Sequence, residues 1–171
     1  MPRKPKPLDE PGLYVYALKS LAARARSIAE LRRMLARRAR NKADADTVLH
    51  RLRERGYLDD EKFAQAYAHW RLENQRLGRL RVERDLRAHL VAPKLARRAV
   101  EKAYEDVDET QLLREHLARR LRRSGPPQDE RRLASLYRHL LGAGFSPGLV
   151  LAELRRLWKG ETGWLEELGE E

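Results

Sequence analysis

Apolar residues recur at helical spacing from Leu13 to Leu157, and one arrangement of them returns three times. When Leu35, Leu86 and Leu140 are aligned, the residues four earlier are Leu31, Val82 and Leu136. Those 14 later are Leu49, Val100 and Leu154, and those 17 later are Leu52, Ala103 and Leu157. All are apolar. Successive copies are offset by 51 and then 54 residues. A module this small buries its stripe partly against itself and partly against a neighbour, so copies are expected to stack in series. No stretch alternates apolar and polar residues in the manner of a half-buried strand. The expected fold is all-α, an elongated tandem array of three three-helix repeats at residues 13–57, 58–106 and 107–159. Residues 1–12 hold four prolines and three basic side chains and are expected to form a flexible basic arm. Residues 160–171 are expected to be an acidic tail, docked if at all by Trp164 and Leu165.

Residues 56–64 set the corner between the first two repeats. Ala45, Val48, Leu49 and Leu52 give one helix face ahead of it. Gly56 then stands where a helix ends in a left-handed residue, a conformation that costs glycine little. If its φ is positive, Gly56→Val should destabilise the corner by about 1 kcal/mol or more. Asp59 is placed to cap the next helix, and Leu58 with Phe63 has the spacing of a hydrophobic staple. The structural stretch is therefore Gly56, Tyr57, Leu58, Asp59, Asp60 and Phe63. Elsewhere Ser27 and Glu30 form a capping-box pattern, and Ser146-Pro147 opens a helix with proline at its first position.

The formal net charge is +11, and its distribution says more than its size. Residues 24–42 carry eight basic side chains against Glu30 alone. Residues 76–98 carry eight against Glu83 and Asp85, and residues 114–138 carry eight against Glu115, Asp129 and Glu130. The second-helix region of every repeat is thus basic, with too few acids in each window to pair most of it. A polyanion or an acidic protein surface is the expected partner. Arginine prevails, and its planar fork suits bidentate contact with phosphate or carboxylate. The binding candidates are Arg32, Arg33, Arg37, Arg38, Arg79, Arg81, Arg84, Arg119, Arg120, Arg122, Arg123 and Arg132.

Catalytic constellations are missing. The chain has no cysteine, hence no disulfide and no thiolate nucleophile. His50, His69, His89, His116 and His139 make no paired metal-ligand spacing and read as surface or boundary residues. Asp59 and Asp60 read as helix-start residues rather than a metal site. No phosphate-binding glycine loop exists. Tyr57, Tyr67 and Trp70 could stack on bases, but their spacing favours core packing. The turn at Asn41 lacks the short glycine-containing form of a helix-turn-helix reader, which argues against sequence-specific DNA recognition. No apolar run is long enough to span a membrane and none follows the basic start as a signal peptide would, so a cytoplasmic, non-enzymatic protein without cofactor or metal is expected.

The run Gly56-Tyr57-Leu58-Asp59-Asp60-Glu61-Lys62-Phe63-Ala64, followed by Tyr67, Arg71, Gly78-Arg79, Val82 and Leu86, resembles the bacterial RecX regulatory family. Ala17-Leu18, the Ser27 to Leu35 segment and the Gly144-Phe145-Ser146 turn match the same family. The resemblance runs from Leu13 to Trp158 and departs at Leu90, where a glycine is often found. It implies three-helix repeats and a monomer that modulates the RecA recombinase in recombination, repair and the SOS response. Such proteins dock along the groove of the RecA filament on single-stranded DNA and mostly inhibit its growth and activities. It leaves open direct DNA contact. The competing class, read from charge alone, is a general nucleic-acid-binding protein with no recombinase partner.

Overall fold

The computed structural model describes residues 6–158. Residues 1–5 of the expected arm and the acidic tail with Trp164 and Leu165 lie outside them. The described residues form nine α-helices in chain order. The first repeat holds α1 (Glu10–Ala23), α2 (Ile28–Ala36) and α3 (Lys42–Glu54). The second holds α4 (Asp60–Trp70), α5 (Arg79–Ala88) and α6 (Pro93–Ala103), with a π-helical turn (Arg71–Gln75) continuing α4. The third holds α7 (Glu109–Ser124), α8 (Glu130–Gly142) and α9 (Pro147–Leu157). Helix α1 begins inside the stretch expected as an arm, because Asp9 caps it by accepting from the Gly12 amide at 3.2 Å. Leu8 is also held, donating to the Arg38 carbonyl at 2.7 Å and accepting from the Arg40 amide at 2.8 Å.

Side chains pack into two compact units that cut across the repeats. The first takes the described residues through Ala66 with Leu86–Ala99, and the second takes Tyr67–Asp85 with the described residues from Val100 on. In the first unit Leu13, Leu31, Leu35, Val48 and Leu52 are completely buried. Leu13 and Ala17 line the core from α1. In the second unit Leu113, Leu133, Leu140, Leu154, Phe145, Tyr104 and Tyr137 are buried to 1% exposure or less. The aligned repeat positions are buried throughout, except that Leu157 at the end of α9 is 36% exposed.

A polar knot ties three elements of the first unit together. Ser27 completes the capping box: its Oγ accepts from the Glu30 amide at 3.0 Å while a Glu30 carboxylate oxygen accepts from the Ser27 amide. The buried Ser27 hydroxyl also donates to the His89 carbonyl at 2.5 Å. Asp60 accepts from the Ile28 amide at 2.8 Å, so it caps α2 rather than its own helix. Asp59 caps α4 as expected, accepting from the Glu61 and Lys62 amides at 2.9 and 3.0 Å. Burial pushes the Glu30 carboxyl up, but the His89 ring 3.1 Å away, the Ser27 amide and Arg24 together outweigh this and hold it below the ordinary range.

Three helices end in the same turn. Gly56, Leu90 and Gly144 have φ of 71°, 60° and 94°. Each is followed by an amide that reaches five residues back: Tyr57 to the Leu52 carbonyl, Val91 to Leu86 and Phe145 to Leu140. This double-bonded helix stop needs a left-handed residue, and a leucine there is strained by about 1–2 kcal/mol. The expected glycine at position 90 is absent, yet the glycine conformation is kept. Leu90→Gly should therefore raise unfolding free energy by about 0.5–1 kcal/mol, glycine's entropy offsetting part of the relief. Gly56→Val, with open space around the added side chain, should lower it by about 1 kcal/mol through strain alone. Urea unfolding of the two variants reads both, and a destabilised Leu90→Gly would contradict the strained turn.

In the second unit two glycines meet face to face. Gly78 donates to the Ala143 carbonyl at 2.9 Å and Leu80 donates to the Gly144 carbonyl at 3.1 Å. A Cβ at Gly78 would lie 2.2 Å from the Gly144 oxygen. This contact pins the start of α5 to the end of α8.

Candidate polyanion-binding surface

The twelve candidate arginines divide by what their guanidiniums already hold. Arg79 pairs with Glu109 and lies 5.8 Å from the Tyr104 ring centroid. Arg81 donates to Asp85 at 2.9 Å and to the Gly142 carbonyl at 3.1 Å. These two cations brace the second unit. Arg38 lies 5.3 Å from the Tyr16 centroid, with a buried Nε that has no partner among the described residues. Arg132 donates to Gln128 at 3.2 Å. The remaining eight, Arg32, Arg33, Arg37, Arg84, Arg119, Arg120, Arg122 and Arg123, are exposed. None has a carboxylate partner among the described residues.

Counting charges in windows missed the partners because they come from elsewhere in the chain. Glu109 serves Arg79 from 30 residues away. Glu153 serves Arg114 from 39 residues away, accepting two hydrogen bonds at 3.0 and 2.8 Å. The Arg114 hydrogen bonds hold the Glu153 carboxyl below the usual carboxylate range against the opposing effect of burial. Asp85 collects Arg71 at 2.5 Å and Arg81 at 2.9 Å. The family-like residues Tyr67 and Arg71 belong to this network, the Tyr67 hydroxyl accepting from Arg71 Nε at 2.9 Å.

Free charge concentrates on particular helices. In the first unit the exposed Arg32 and Arg33 lie on α2, and Arg37 follows at its C-terminal end. Arg32, Arg40 and Lys42 border a cavity of about 500 Å³ at the start of α3, with Asp46 as its one acid. In the second unit Arg119, Arg120, Arg122 and Arg123 occupy the last turns of α7, where the helix's negative end favours cations.

Two aromatic expectations are corrected. Tyr57 and Trp70 are 54% and 51% exposed, so they do not pack in the core. Trp70 sits at the end of α4 and Tyr57 in the bend between α3 and α4, where periodicity alone cannot tell covered from open. Tyr57 serves the corner through its amide, and its ring stands in solvent. Tyr67 is half-buried and its hydroxyl is pushed up first by burial, with Arg71 opposing. Among the described residues no three His, Asp or Glu side chains are placed to hold a metal ion, and no helix is long and apolar enough to cross a membrane.

Comparisons with known proteins agree with this architecture. The family model for the second three-helix domain of RecX matches residues 59–100. The regulatory protein RecX of Thermus thermophilus is 39% identical over 140 residues, covering 82% of this chain and 88% of that one. The regulatory protein RecX of Leptothrix cholodnii is 34% identical over 139 residues, covering 81% and 85%. The crystal structure of RecX from Lactobacillus salivarius superposes with a TM-score of 0.70 at 16% identity, over 87% of this chain and 96% of that chain. That likeness extends the shared fold to a distant sequence. With three-helix repeats, a matching central domain and relatives aligned over four-fifths of its length, the chain belongs to the RecX family of regulatory proteins.

Proposed function

We propose that this protein regulates the RecA recombinase by binding its filament on single-stranded DNA, mostly limiting filament assembly. It does so as a monomer without catalysis or cofactor. The observation that carries the reading is the set of exposed arginines without carboxylate partners, present in all three repeats of a chain whose relatives are named regulatory proteins. A nucleoprotein filament presents phosphates and acidic protein surface together. Several modest contacts on one chain raise effective concentration without any single strong site.

A strand-exchange assay with RecA tests this. Added protein should inhibit at amounts too small to sequester the DNA and should bind the RecA–ATP–DNA filament in preference to bare DNA. Inhibition that only tracks sequestered DNA would replace this reading with that of a general nucleic-acid-binding protein. The combined Arg32→Gln, Arg33→Gln, Arg37→Gln variant should fold normally and bind the filament about tenfold more weakly near 0.1 M salt. Its log–log salt slope should fall by about two, from three lost phosphate contacts. Unchanged binding would remove α2 from the interface.

A further inference from the structure

The second unit contains a cleft that the charge count did not reveal. His116 on α7 and His139 on α8 face each other with their Nε2 atoms 3.4 Å apart. Phe145 meets the His116 ring edge-on at 5.6 Å between centroids and fixes its orientation. The pair opens onto a cavity of about 230 Å³ lined by Gln75, His116, Arg119, Arg120, Arg123 and His139. Three guanidiniums and two imidazoles line it, and no carboxylate does. The nearest acid on α7, Glu115, is turned to Arg76 at 3.8 Å.

We propose that this cleft is a binding site for a phosphate group, which the three arginines hold and the histidine pair joins by taking up a proton. At close range two neutral imidazoles share one hydrogen bond, the Nε2–H of one donating to the lone pair of the other. Within the cleft burial lowers the His116 pKa first, the charges of His139 and Arg119 add to this, and the Arg76 carbonyl opposes it. Burial and then Arg120 lower that of His139. A bound anion reverses the balance. It neutralises the like charge, accepts bidentate hydrogen bonds from the guanidiniums and turns a protonated imidazole into a further donor. Because the anion prefers the protonated pair, binding raises both histidine pKa values, and affinity must rise as pH falls.

The chemistry recognised is a phosphate oxygen pair among cations, offered by a backbone phosphodiester or by a phosphomonoester. Only the first source rests on the nucleoprotein reading above. Histidine ring NMR on the full chain separates them. Inorganic phosphate is titrated in one arm and a thymidine oligonucleotide without terminal phosphate in the other, between pH of about 7.5 and 5.5, the range in which imidazole titrates. The expected result is a raised pKa for both histidines with the probe that binds and, for the oligonucleotide, whose diesters keep one charge across this range, a half-saturating concentration about tenfold lower at the acid end, equivalent to one pKa unit. A response to phosphate alone assigns a phosphomonoester site, and a response to the oligonucleotide assigns the diester. Arg119→Gln, Arg120→Gln and Arg123→Gln together should abolish the response. His139→Gln should flatten its pH dependence while keeping binding at the alkaline end. The site is overturned if neither probe moves the rings, or if the response survives loss of the three arginines. Silent rings with intact filament inhibition would sink the cleft alone. Responsive rings without filament binding would sink the filament reading alone.

Discussion

Gly78→Ala is expected to lower the melting temperature by about 10 °C. The new Cβ would stand 2.2 Å from the Gly144 carbonyl oxygen, 2.3 Å from its carbon and 2.6 Å from the Phe145 nitrogen. All three are backbone atoms, so no side chain can swing away. Relief requires separating the start of α5 from the end of α8, which breaks the Gly78–Ala143 and Leu80–Gly144 hydrogen bonds. Clash and lost bonds together cost about 3–5 kcal/mol. The opposing glycine is no freer, since a Cβ at Gly144 would lie 2.3 Å from the Arg81 nitrogen and φ there is 94°. Gly142→Ala, a helical position with nothing within 4 Å, serves as the control and should melt no lower than the parent. Circular dichroism melts decide the matter: a Gly78→Ala protein that melts with the parent would mean the two backbones do not touch.

Asp85→Ala is the second large loss, about 3–4 kcal/mol. The Asp85 side chain is 14% exposed and the Arg71 side chain 19%. Their 2.5 Å contact therefore lies largely away from water. Removing the carboxylate leaves the Arg71 guanidinium desolvated, with only neutral partners in Tyr67 and Gln75. That stranded charge, more than the lost pair itself, sets the cost. Arg81 loses the same partner but is 42% exposed, so water replaces most of what it gives up. The double variant Arg71→Leu, Asp85→Leu should recover at least half of the loss, because no buried charge remains. Urea denaturation of the single and double variants gives the coupling directly. A double variant as unstable as Asp85→Ala would show that shape, not charge, governs the site.

The backbone plan was legible because its signals are local. Ser27 with Glu30, Gly56 and Asp59 all act within a few residues, and each does what its spacing implied. Asp60 escaped because its partner, the Ile28 amide, lies 32 residues away. The same distance effect hid which arginines are already paired. Eight of the twelve arginines proved free of acids, while Arg79 was claimed by Glu109, which no window contained, and Arg81 by Asp85 four residues on, which the window counted but could not assign. The His116–His139 cleft was invisible for the same reason, its halves being 23 residues apart on different helices. At position 90 the residue type pointed away from a left-handed turn. The helix ending still imposed one, because the terminal carbonyls of Leu86 and Arg87 need donors and find them in the Val91 and Leu90 amides.

The short bridge at Leu8 offers a practical vantage point. Its two backbone bonds anchor residue 8 beside Arg38 and Arg40. Lys6, two residues upstream and exposed, is thereby tethered within reach of the cationic first repeat. A fluorophore placed there would sit close enough to α2 for quenching to report occupancy of that face in real time, while leaving every candidate arginine untouched.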